Sequence, residues 1–314
     1  MALKLKTALC LLSVIAIGLV VFRITFLDYS GCFLGQSSSA YDSEENNNVL
    51  FARRLNWSIE PFLTAKTKLS EDAFNWWKLI QMEKRDFAVY KATVSKLFEI
   101  FPPTPDLGKA CSARCRTCAV VGNSANLKGS GYGRLIDYQD VIIRMNFGPT
   151  KGYEKDVGTR TTYRVMYPES AMDLNNSTHL VLFPFKIQDL DWLIKAFTTG
   201  FSGRSYAAVK SKIKANKDLV KVINPAFMMY SHKIWLEGKG TYPSTGFMTV
   251  ILALHICDEV QVFGYGADSD GNWSHYFEVL RNKNFKTGIH PGKHEHEILQ
   301  QLAYEKTVKL YQGL

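Results

Sequence analysis

The fold class is decided by one stretch of the sequence, CAVVGNSAN at residues 118–126. Its apolar part, from Ala119 to Val121, has the length and composition of a buried strand, and Gly122 then opens a run of small polar residues. In open α/β sheets, ligands bind outside the carboxyl ends of the strands. The loop that begins at Gly122 is therefore predicted to form part of a binding site.

Strand-like and helix-like segments alternate along the rest of the chain. The predicted strands are Cys118–Val121, Val141–Met145, Leu180–Phe185, Leu219–Ile223 and Val260–Phe263. The clearest helices between them are Leu190–Thr198 and Thr245–Ile256. Such alternation indicates a single α/β domain with a mostly parallel central sheet flanked by helices.

The composition of the chain bounds its class and its partners. Of its 314 residues, 46% are hydrophobic, which is ample for a large buried core. The formal net charge of +9 suits an anionic partner, such as a nucleic acid, a membrane or a negatively charged small substrate. The basic residues are scattered rather than clustered, so nucleic acid is the least favoured of the three.

The amino terminus predicts a membrane anchor. Lys4 and Lys6 precede an uncharged run from Thr7 to Phe22, which spans about 24 Å as a helix. Extension past Arg23 to Leu27 provides enough length to cross a bilayer. No small-x-small cleavage site follows, so an uncleaved anchor is favoured over a cleaved signal peptide. The basic residues then keep the terminus in the cytosol and place the remainder in the lumen.

The chain divides into four predicted segments. They are a cytoplasmic tail at 1–6, a transmembrane anchor at 7–27, a polar lumenal stem at 28–54 and a catalytic domain at 55–314. Apolar residues from Leu55 to Arg85 have helical spacing, with a break near Ser70 where a new helix can be capped. The short anchor fits an early secretory membrane better than the thicker plasma membrane.

Sequons and cysteines agree with a lumenal location. Sequons occur at Asn56, Asn175, Asn176 and Asn272; the adjacent pair can carry one glycan at most, and we expect glycans at Asn56, Asn176 and Asn272. Beyond Cys10 in the anchor, the cysteines are Cys32, Cys111, Cys115, Cys118 and Cys257, an odd number that leaves one without an intramolecular partner in an oxidising compartment.

A bond between Cys118 and Cys257 would close a loop of roughly 140 residues and stabilise the fold by ~5 kcal/mol. Two buried free thiols are the alternative. The sequence YPSTG at residues 242–246 precedes the apolar helix that Cys257 ends. Such a helix start leaves N–H groups that can bind an anion without a metal, although a plain N-cap is the commoner explanation.

Four histidines and one acidic motif are candidates for chemistry. His275 and His290 suit proton transfer or contact with a developing phosphate charge, because histidine titrates near neutrality. His290, His294 and His296 could hold zinc, but Pro291-Gly292 breaks the helix that an HExxH motif needs. Asp268-Ser269-Asp270 has the D-x-D form of a cation site, but the residues that follow favour a turn. The sequence therefore predicts no metal site.

Together these segments resemble the animal sialyltransferases, glycosyltransferase family 29. The long sialylmotif resembles residues 118–170 and the short sialylmotif resembles residues 224–266. The third motif resembles HYFE at His275, and the very short motif, His-x4-Glu, resembles His290 to Glu295. Within the family, the resemblance is greatest to the β-galactoside α-2,3-sialyltransferases that act on Galβ1-3GalNAc.

The resemblance implies a GT-A-like, Rossmann-type fold and a metal-independent inverting transfer from CMP-sialic acid to the galactose 3-hydroxyl. His290 would be the general base, and His275 would contact the departing CMP phosphate. Gln81 would contact the acceptor sugar, and Cys118 and Cys257 would form a disulfide. The donor site would comprise Asn123, Asn146, Tyr206, Tyr242, Ser244, Gly246 and Gly266.

Two departures from the family pattern stand out. Phe277 replaces a Trp that relatives commonly have, and Cys115 has two candidate partners, Cys32 and Cys111. The sequence still predicts a Golgi type II membrane enzyme without a cofactor, acting on galactose-terminated glycoproteins or glycolipids. One alternative is the same chemistry on Galβ1-4GlcNAc or a glycolipid. The other is a catalytically silent, lectin-like protein of the secretory pathway, which the presence of both His275 and His290 disfavours.

Overall fold

The computed structural model of the protein describes residues 50–105, 115–268, 270–278 and 289–313. The predicted tail and anchor, almost all of the stem, and both candidate partners of Cys115 lie outside these residues. Within the described part of the chain, none of the helices combines the length and apolarity needed to cross a bilayer.

A parallel sheet of seven strands forms the centre of the described residues, in the order β5-β4-β3-β2-β1-β6-β7. Every neighbouring pair in it is parallel. The strands are β1 (Thr117–Val121), β2 (Val141–Met145), β3 (Tyr163–Met166), β4 (His179–Leu182), β5 (Val220–Val222), β6 (Glu259–Phe263) and β7 (Val308–Tyr311). This confirms the predicted α/β class and the parallel sheet.

Helices cover both faces of the sheet, as parallel strands require. They are α1 (Leu50–Arg54), α2 (Glu71–Ile80), α3 (Phe87–Leu97), α4 (Gly133–Asp137), α5 (Glu154–Val157), α6 (Ile187–Ala196), α7 (Pro225–Tyr230), α8 (Thr245–Ile256) and α9 (Gly292–Tyr304). A π-helix, Ser231–Trp235, continues α7. Helix α8 has the predicted bounds, because a Ser cap and an uninterrupted apolar run define it.

The strand order reverses direction at β1, which pairs with β2 on one side and with β6 on the other. A reversal of this kind opens a crevice at the carboxyl ends of the strands. The loops that leave β1 and β6 meet closely there, since a Cβ atom on Gly122 would lie 2.3 Å from the Gly264 carbonyl oxygen. Only glycine fits at Gly122, and this contact brings the two loops into one site.

Several predicted elements have different bounds in the structure; the predicted helix Leu190–Thr198, for example, is Ile187–Ala196. Strand β4 ends at Leu182 rather than Phe185, because Pro184 cannot donate a ladder hydrogen bond. The residues between Leu55 and Ser70 form no helix; the Leu63 N–H instead donates to the Val222 carbonyl at 2.8 Å and covers the edge of β5. The cap at Ser70 is confirmed, since its side chain accepts from the Ala73 N–H.

Cys118 and Cys257 form a disulfide with a Cα–Cα distance of 6.1 Å, which confirms the predicted bond and excludes two free thiols. It ties β1 to the end of α8, so the loop after β1 and the start of α8 belong to one rigid unit. Cys115 is also disulfide-bonded. The choice between its two candidate partners lies outside the described residues.

Candidate active site

A cavity of about 490 Å³ opens at the carboxyl ends of the strands, beside the reversal at β1. All ten residues that the sequence assigned to donor, acceptor or catalysis line this cavity. They are Gln81, Asn123, Asn146, Tyr206, Tyr242, Ser244, Gly246, Gly266, His275 and His290. The fold thus brings together residues that are far apart in the sequence, from Gln81, the first of the ten, to His290, the last.

The loop after β1 holds the segment that carries His275. The Tyr276 N–H donates to the Asn123 carbonyl at 2.9 Å, and the Ala125 N–H donates to the Ser274 carbonyl at 2.8 Å. The Ser124 hydroxyl donates to the Gly266 carbonyl at 2.8 Å. These bonds fix the backbone of the long motif against that of the third motif, which places His275 at the cavity wall.

Two asparagines follow β1 and β2 at the same edge of the sheet. Asn123 donates through Nδ2 to the Met145 carbonyl at 3.3 Å, so it is tied to the end of β2. Asn146 has a left-handed backbone, φ +50°, and its Oδ1 accepts from the Ser170 hydroxyl at 3.0 Å. Asparagine adopts this conformation more readily than most residues. The pair offers fixed amide groups to a ligand in the crevice.

The start of α8 is hydrogen-bonded by the carboxylate of Glu295, a residue of α9. Ser244 caps the helix, with its Oγ accepting from the Phe247 N–H at 3.0 Å. The carboxylate of Glu295, which is 7% exposed, accepts from the Ser244 N–H and from the Ser244 hydroxyl, both at 2.6 Å. Burial raises the pKa of Glu295, although the bonds from Ser244 oppose that shift. Ser244 therefore supports the site from within rather than offering its N–H to a ligand.

His290 is held in a defined tautomer. Its Nδ1 lies 3.2 Å from the Tyr242 carbonyl oxygen, and because a carbonyl can only accept, Nδ1 carries the hydrogen. In the neutral ring the remaining nitrogen, Nε2, is then the basic one. The Tyr242 ring meets the His290 ring edge to face at 5.0 Å. Burial lowers the pKa of His290, so the ring is neutral near pH 7 and able to accept a proton.

His275 lies at the other side of the cavity beside an acidic partner. Its Nδ1 is 2.8 Å from Oε2 of Glu278, the last residue of the HYFE motif. The Phe277 ring stacks on the imidazole with a centroid distance of 5.1 Å and an interplanar angle of 14°. Phe277, which departs from the family pattern, thus acts as a flat support for His275.

Gln81, the residue predicted to contact the acceptor, lies beside tyrosines, two of which, Tyr206 and Tyr242, were predicted for the donor site. Gln81 hydrogen-bonds the hydroxyl of Tyr242, whose pKa is raised by burial. Tyr206 stands at the rim with 72% of its surface exposed and hydrogen-bonds Tyr167. An exposed aromatic ring beside amide and hydroxyl groups is a suitable surface for a sugar ring and its hydroxyls. Tyr167 was not predicted, because nothing around it marks it out from a core tyrosine.

The cavity lining also includes a network of charged residues that was not predicted from the sequence. Lys186 Nζ lies 3.4 Å from Glu169 and 3.3 Å from Asp189. Burial raises the pKa of Asp189 to about 6, although Lys186 opposes the shift. Glu169 also accepts from the Ser205 hydroxyl, which precedes Tyr206. The network therefore connects the cavity wall to the rim loop that carries Tyr206.

The cavity lining also includes Trp273 and His296, neither of which was assigned to the donor. The His296 ring lies against Gly266: a Cβ there would be 2.8 Å from its Cε1. The Trp273 and His296 rings are nearly perpendicular, with centroids 6.4 Å apart. These two rings and the Gly266 backbone therefore lie together in the cavity lining. Trp273 is the middle residue of the sequon at Asn272, and the sequence pattern there predicts a glycan site rather than a ligand contact.

The D-x-D pattern considered for metal binding forms a turn. Among the described residues, no cluster of three or more His, Cys, Asp or Glu side chains is arranged to hold a metal ion. Asp268 Oδ1 accepts from the N–H groups of Asp270 and Asn272 at 3.0 and 2.8 Å, which is the predicted turn. Neither aspartate lines the cavity.

The sequons differ in exposure. Asn56, Asn175 and Asn176 are exposed. Asn272 is 8% exposed, and its Nδ2 lies 3.4 Å from Asp268 Oδ2. The expected glycan at Asn272 therefore conflicts with the burial of its amide, whereas those at Asn56 and Asn176 stay predictions.

Comparison with known proteins identifies the family. The model of glycosyltransferase family 29 (sialyltransferase) matches residues 62–307. The chain is 43% identical to CMP-N-acetylneuraminate-beta-galactosamide-alpha-2,3-sialyltransferase 1 of Sus scrofa, over 86% of this chain and 80% of that protein. It is 32% identical to the beta-1,4-galactoside alpha-2,3-sialyltransferase of Pan troglodytes, over 76% of this chain and 69% of that protein.

A solved structure agrees with these relatives. A mammalian sialyltransferase in complex with Gal-beta-1-3GalNAc-ortho-nitrophenol superimposes with a TM-score of 0.79 at 42% identity, covering 87% of this chain and 97% of that chain. The match shows that the chain has the α/β fold of a glycosyltransferase. The chain belongs to glycosyltransferase family 29, the sialyltransferases.

Proposed function

We propose that the protein transfers sialic acid from CMP-sialic acid to the 3-hydroxyl of a terminal galactose, with Galβ1-3GalNAc as its preferred acceptor. The observation that carries this proposal is the cavity in which all ten assigned residues meet. The similarity to named α-2,3-sialyltransferases supports the linkage. The disaccharide in the matching structure supports the acceptor.

His290 is the general base in this proposal. The hydrogen bond from Nδ1 to the Tyr242 carbonyl leaves Nε2 as the basic nitrogen, and burial keeps the ring neutral. Nε2 takes the proton from the galactose 3-hydroxyl while that oxygen attacks the anomeric carbon of sialic acid. Attack from the face opposite the phosphate inverts the anomeric centre as the bond to CMP breaks.

The leaving CMP gains negative charge as this bond breaks, and positively polarised groups must meet it. His275, with Glu278 beside it, is placed to donate to the phosphate. Two N–H groups of the first turn of α8, those of Thr245 and Gly246, also belong to cavity-lining residues. The positive end of the helix dipole adds to both. This arrangement needs no cation in the transfer step.

The remaining assigned residues divide between the two substrates. Asn123, Asn146, Gly246 and Gly266 surround the donor, with Trp273 and His296 closing the nucleoside end. Gln81 binds the galactose hydroxyls together with Tyr242, which the sequence assigned to the donor site but whose hydroxyl hydrogen-bonds Gln81. Tyr206, which the sequence also assigned to the donor site, is exposed at the rim and in this proposal contacts the second sugar of the acceptor.

The proposed location is the Golgi membrane, with a single anchor at residues 7–27 and the catalytic domain in the lumen. The apolar amino-terminal run, the sequons and the disulfides support this placement. Glycoproteins and glycolipids that end in galactose are the partners this compartment offers.

An acceptor panel tests the proposal. The lumenal domain is incubated with CMP-sialic acid and EDTA, together with Galβ1-3GalNAc, Galβ1-4GlcNAc or a galactose-terminated glycolipid, and product linkages are determined. We expect α-2,3-linked product, most of it on Galβ1-3GalNAc. A strict Mn²⁺ requirement would contradict the mechanism, and preference for another acceptor would favour the corresponding alternative.

His290→Ala separates catalysis from binding. We expect loss of transfer with a dissociation constant for CMP within about twofold of wild type, because the base contributes to chemistry rather than to nucleotide affinity. Binding of both substrates by the wild-type protein without turnover would support the silent, lectin-like alternative instead.

A further inference from the structure

Two arginines are buried side by side in the sheet beneath the cavity. Arg144 of β2 and Arg164 of β3 are register partners, so their side chains lie on the same face. Burial lowers the pKa of both guanidiniums to about 10. No ion pair with a carboxylate forms at either one among the described residues. Burial of a cation without an ion-pair partner costs folding free energy. The hydrogen bonds that each guanidinium makes therefore indicate its role.

The two arginines bind different loops. Arg144 donates through Nε and Nη2 to the segment 157–161, with bonds of 2.6 to 3.1 Å to Val157, Arg160 and Thr161. Arg164, which is 4% exposed, donates from one nitrogen, Nη1, to the carbonyls of Asn146 and Gly148, both at 3.1 Å. Arg164 thus holds the loop that follows β2, whereas Arg144 holds a segment away from it.

The loop held by Arg164 is the one that brings Asn146 to the donor. Asn146 has a positive φ, a left-handed conformation that asparagine tolerates better than most residues and that the bonds to its loop hold in place. The same loop supports Asn123, since a Cβ on Gly148 would lie 2.4 Å from Asn123 Oδ1. The Tyr276 hydroxyl holds the next carbonyl, that of Pro149, at 2.6 Å.

We propose that Arg164 is a positioning residue for the nucleotide: by binding the Asn146 and Gly148 carbonyls it holds the Asn146–Pro149 loop in the conformation that presents Asn146 and Asn123 to the donor. The inference rests on the proposed donor site, but Arg164 itself does not line the cavity. Its effect therefore falls on donor affinity, while the acceptor side, formed by Gln81 and Tyr242, is unaffected.

Arg164→Met tests this, because Met is similar in length but provides no donor. We expect the dissociation constant for CMP and the KM for CMP-sialic acid to rise about tenfold, as loss of two bonds from a charged donor predicts, with the acceptor KM unchanged. Arg164→Lys keeps a charged donor and should recover most of the affinity.

Arg144→Met is the matched control, since it removes an equally buried guanidinium from the neighbouring strand. We expect it to lower the thermal midpoint but to leave the CMP dissociation constant within about twofold of wild type. An equal loss of CMP affinity in both variants, or an unchanged affinity in Arg164→Met, would overturn the proposal. If Arg164→Met does not fold, Arg164→Gln decides: an unchanged CMP affinity overturns the proposal, and an intermediate loss supports it.

The result can be separated from the proposed function. If wild type binds CMP but transfers no sialic acid, the transferase assignment fails while the role of Arg164 is still measured by CMP affinity. If wild type binds no CMP, amide hydrogen exchange at residues 146–148 provides the readout. Faster exchange there in Arg164→Met than in Arg144→Met supports the positioning role, and equal rates overturn it.

Discussion

Replacement of Glu295 by Ala is the sharpest test of how the site is built. The substitution removes the two carboxylate oxygens that accept hydrogen bonds from the Ser244 N–H and the Ser244 hydroxyl, both at 2.6 Å. Each charge-assisted hydrogen bond contributes about 1.5–3 kcal/mol to stability. Removal of the carboxylate also removes the cost of burying it, which offsets part of this loss. We therefore expect the free energy of unfolding to fall by about 2–4 kcal/mol. At about 2–4 °C per kcal/mol for a domain of this size, the thermal midpoint should fall by about 4–16 °C.

The assay is thermal unfolding of the lumenal domain, with Glu295→Gln and Glu297→Ala as controls. Gln keeps one acceptor oxygen, so we expect a smaller loss, of about 1 kcal/mol. Glu297, two positions along the same helix, is exposed and should be silent when replaced. The kcat should fall as well in Glu295→Ala, because Glu295 ties the first turn of α9, next to His290, to the start of α8.

The pH dependence has a defined sign. Burial raises the pKa of Glu295 in the folded protein above its ordinary value, which applies to the unfolded chain. At a pH between these two pKa values, the folded protein retains a proton that the unfolded chain releases. The contribution of Glu295 to stability is therefore complete below the ordinary pKa and declines as pH rises through the raised one. Glu295→Gln should cost more stability at pH 5 than at pH 7. A midpoint for Glu295→Ala within 2 °C of wild type would refute the reasoning.

Three further predictions follow from the site and its supports. Because burial lowers the pKa of His290, kcat should reach its plateau below the pH at which an exposed histidine titrates, and a pH–rate profile with an apparent pKa above 6.5 would contradict the base role. The Cys118→Ser, Cys257→Ser double variant should lose up to ~5 kcal/mol in urea unfolding, and a loss under 1 kcal/mol would show that the bond does not stabilise the fold. Asn56→Gln should remove one glycan by mass spectrometry of secreted protein, whereas Asn272→Gln should leave the glycan mass unchanged because Asn272 is buried.

The sequence predicts well those parts of the fold that local pattern determines. Strand β2 and helix α8 have the predicted bounds, because an apolar run with a clear start and stop specifies each. Strand β3 was missed because Arg164 interrupts its apolar pattern, and only tertiary structure shows that this arginine is buried. Strand β7 was missed because its alternation is that of a half-exposed edge.

The same limit applies to the site. Eight of the ten assigned residues lie within the motifs that carry the family resemblance, and Gln81 and Tyr206 lie outside them. Glu169, Lys186 and Asp189 were not identified, because a charged residue near a proline or at a helix start is usually solvated. The bond between Ser244 and Glu295 joins residues 51 positions apart, and local pattern contains no information about such a pair.

The bond from Ser244 to Glu295 also determines how an anion is received. Of the first N–H groups of α8, that of Phe247 is capped by Ser244 Oγ and that of Met248 donates to the Ser244 carbonyl. The N–H of Ser244 itself is taken by Glu295, which leaves Thr245 and Gly246 as the N–H groups of the first turn that line the cavity. A phosphate bound there lies close to a buried carboxylate, so positive charge elsewhere must offset the repulsion. His275, which also lines the cavity, is placed to donate to that phosphate, whereas Arg164 acts only through the Asn146–Pro149 loop and does not line the cavity.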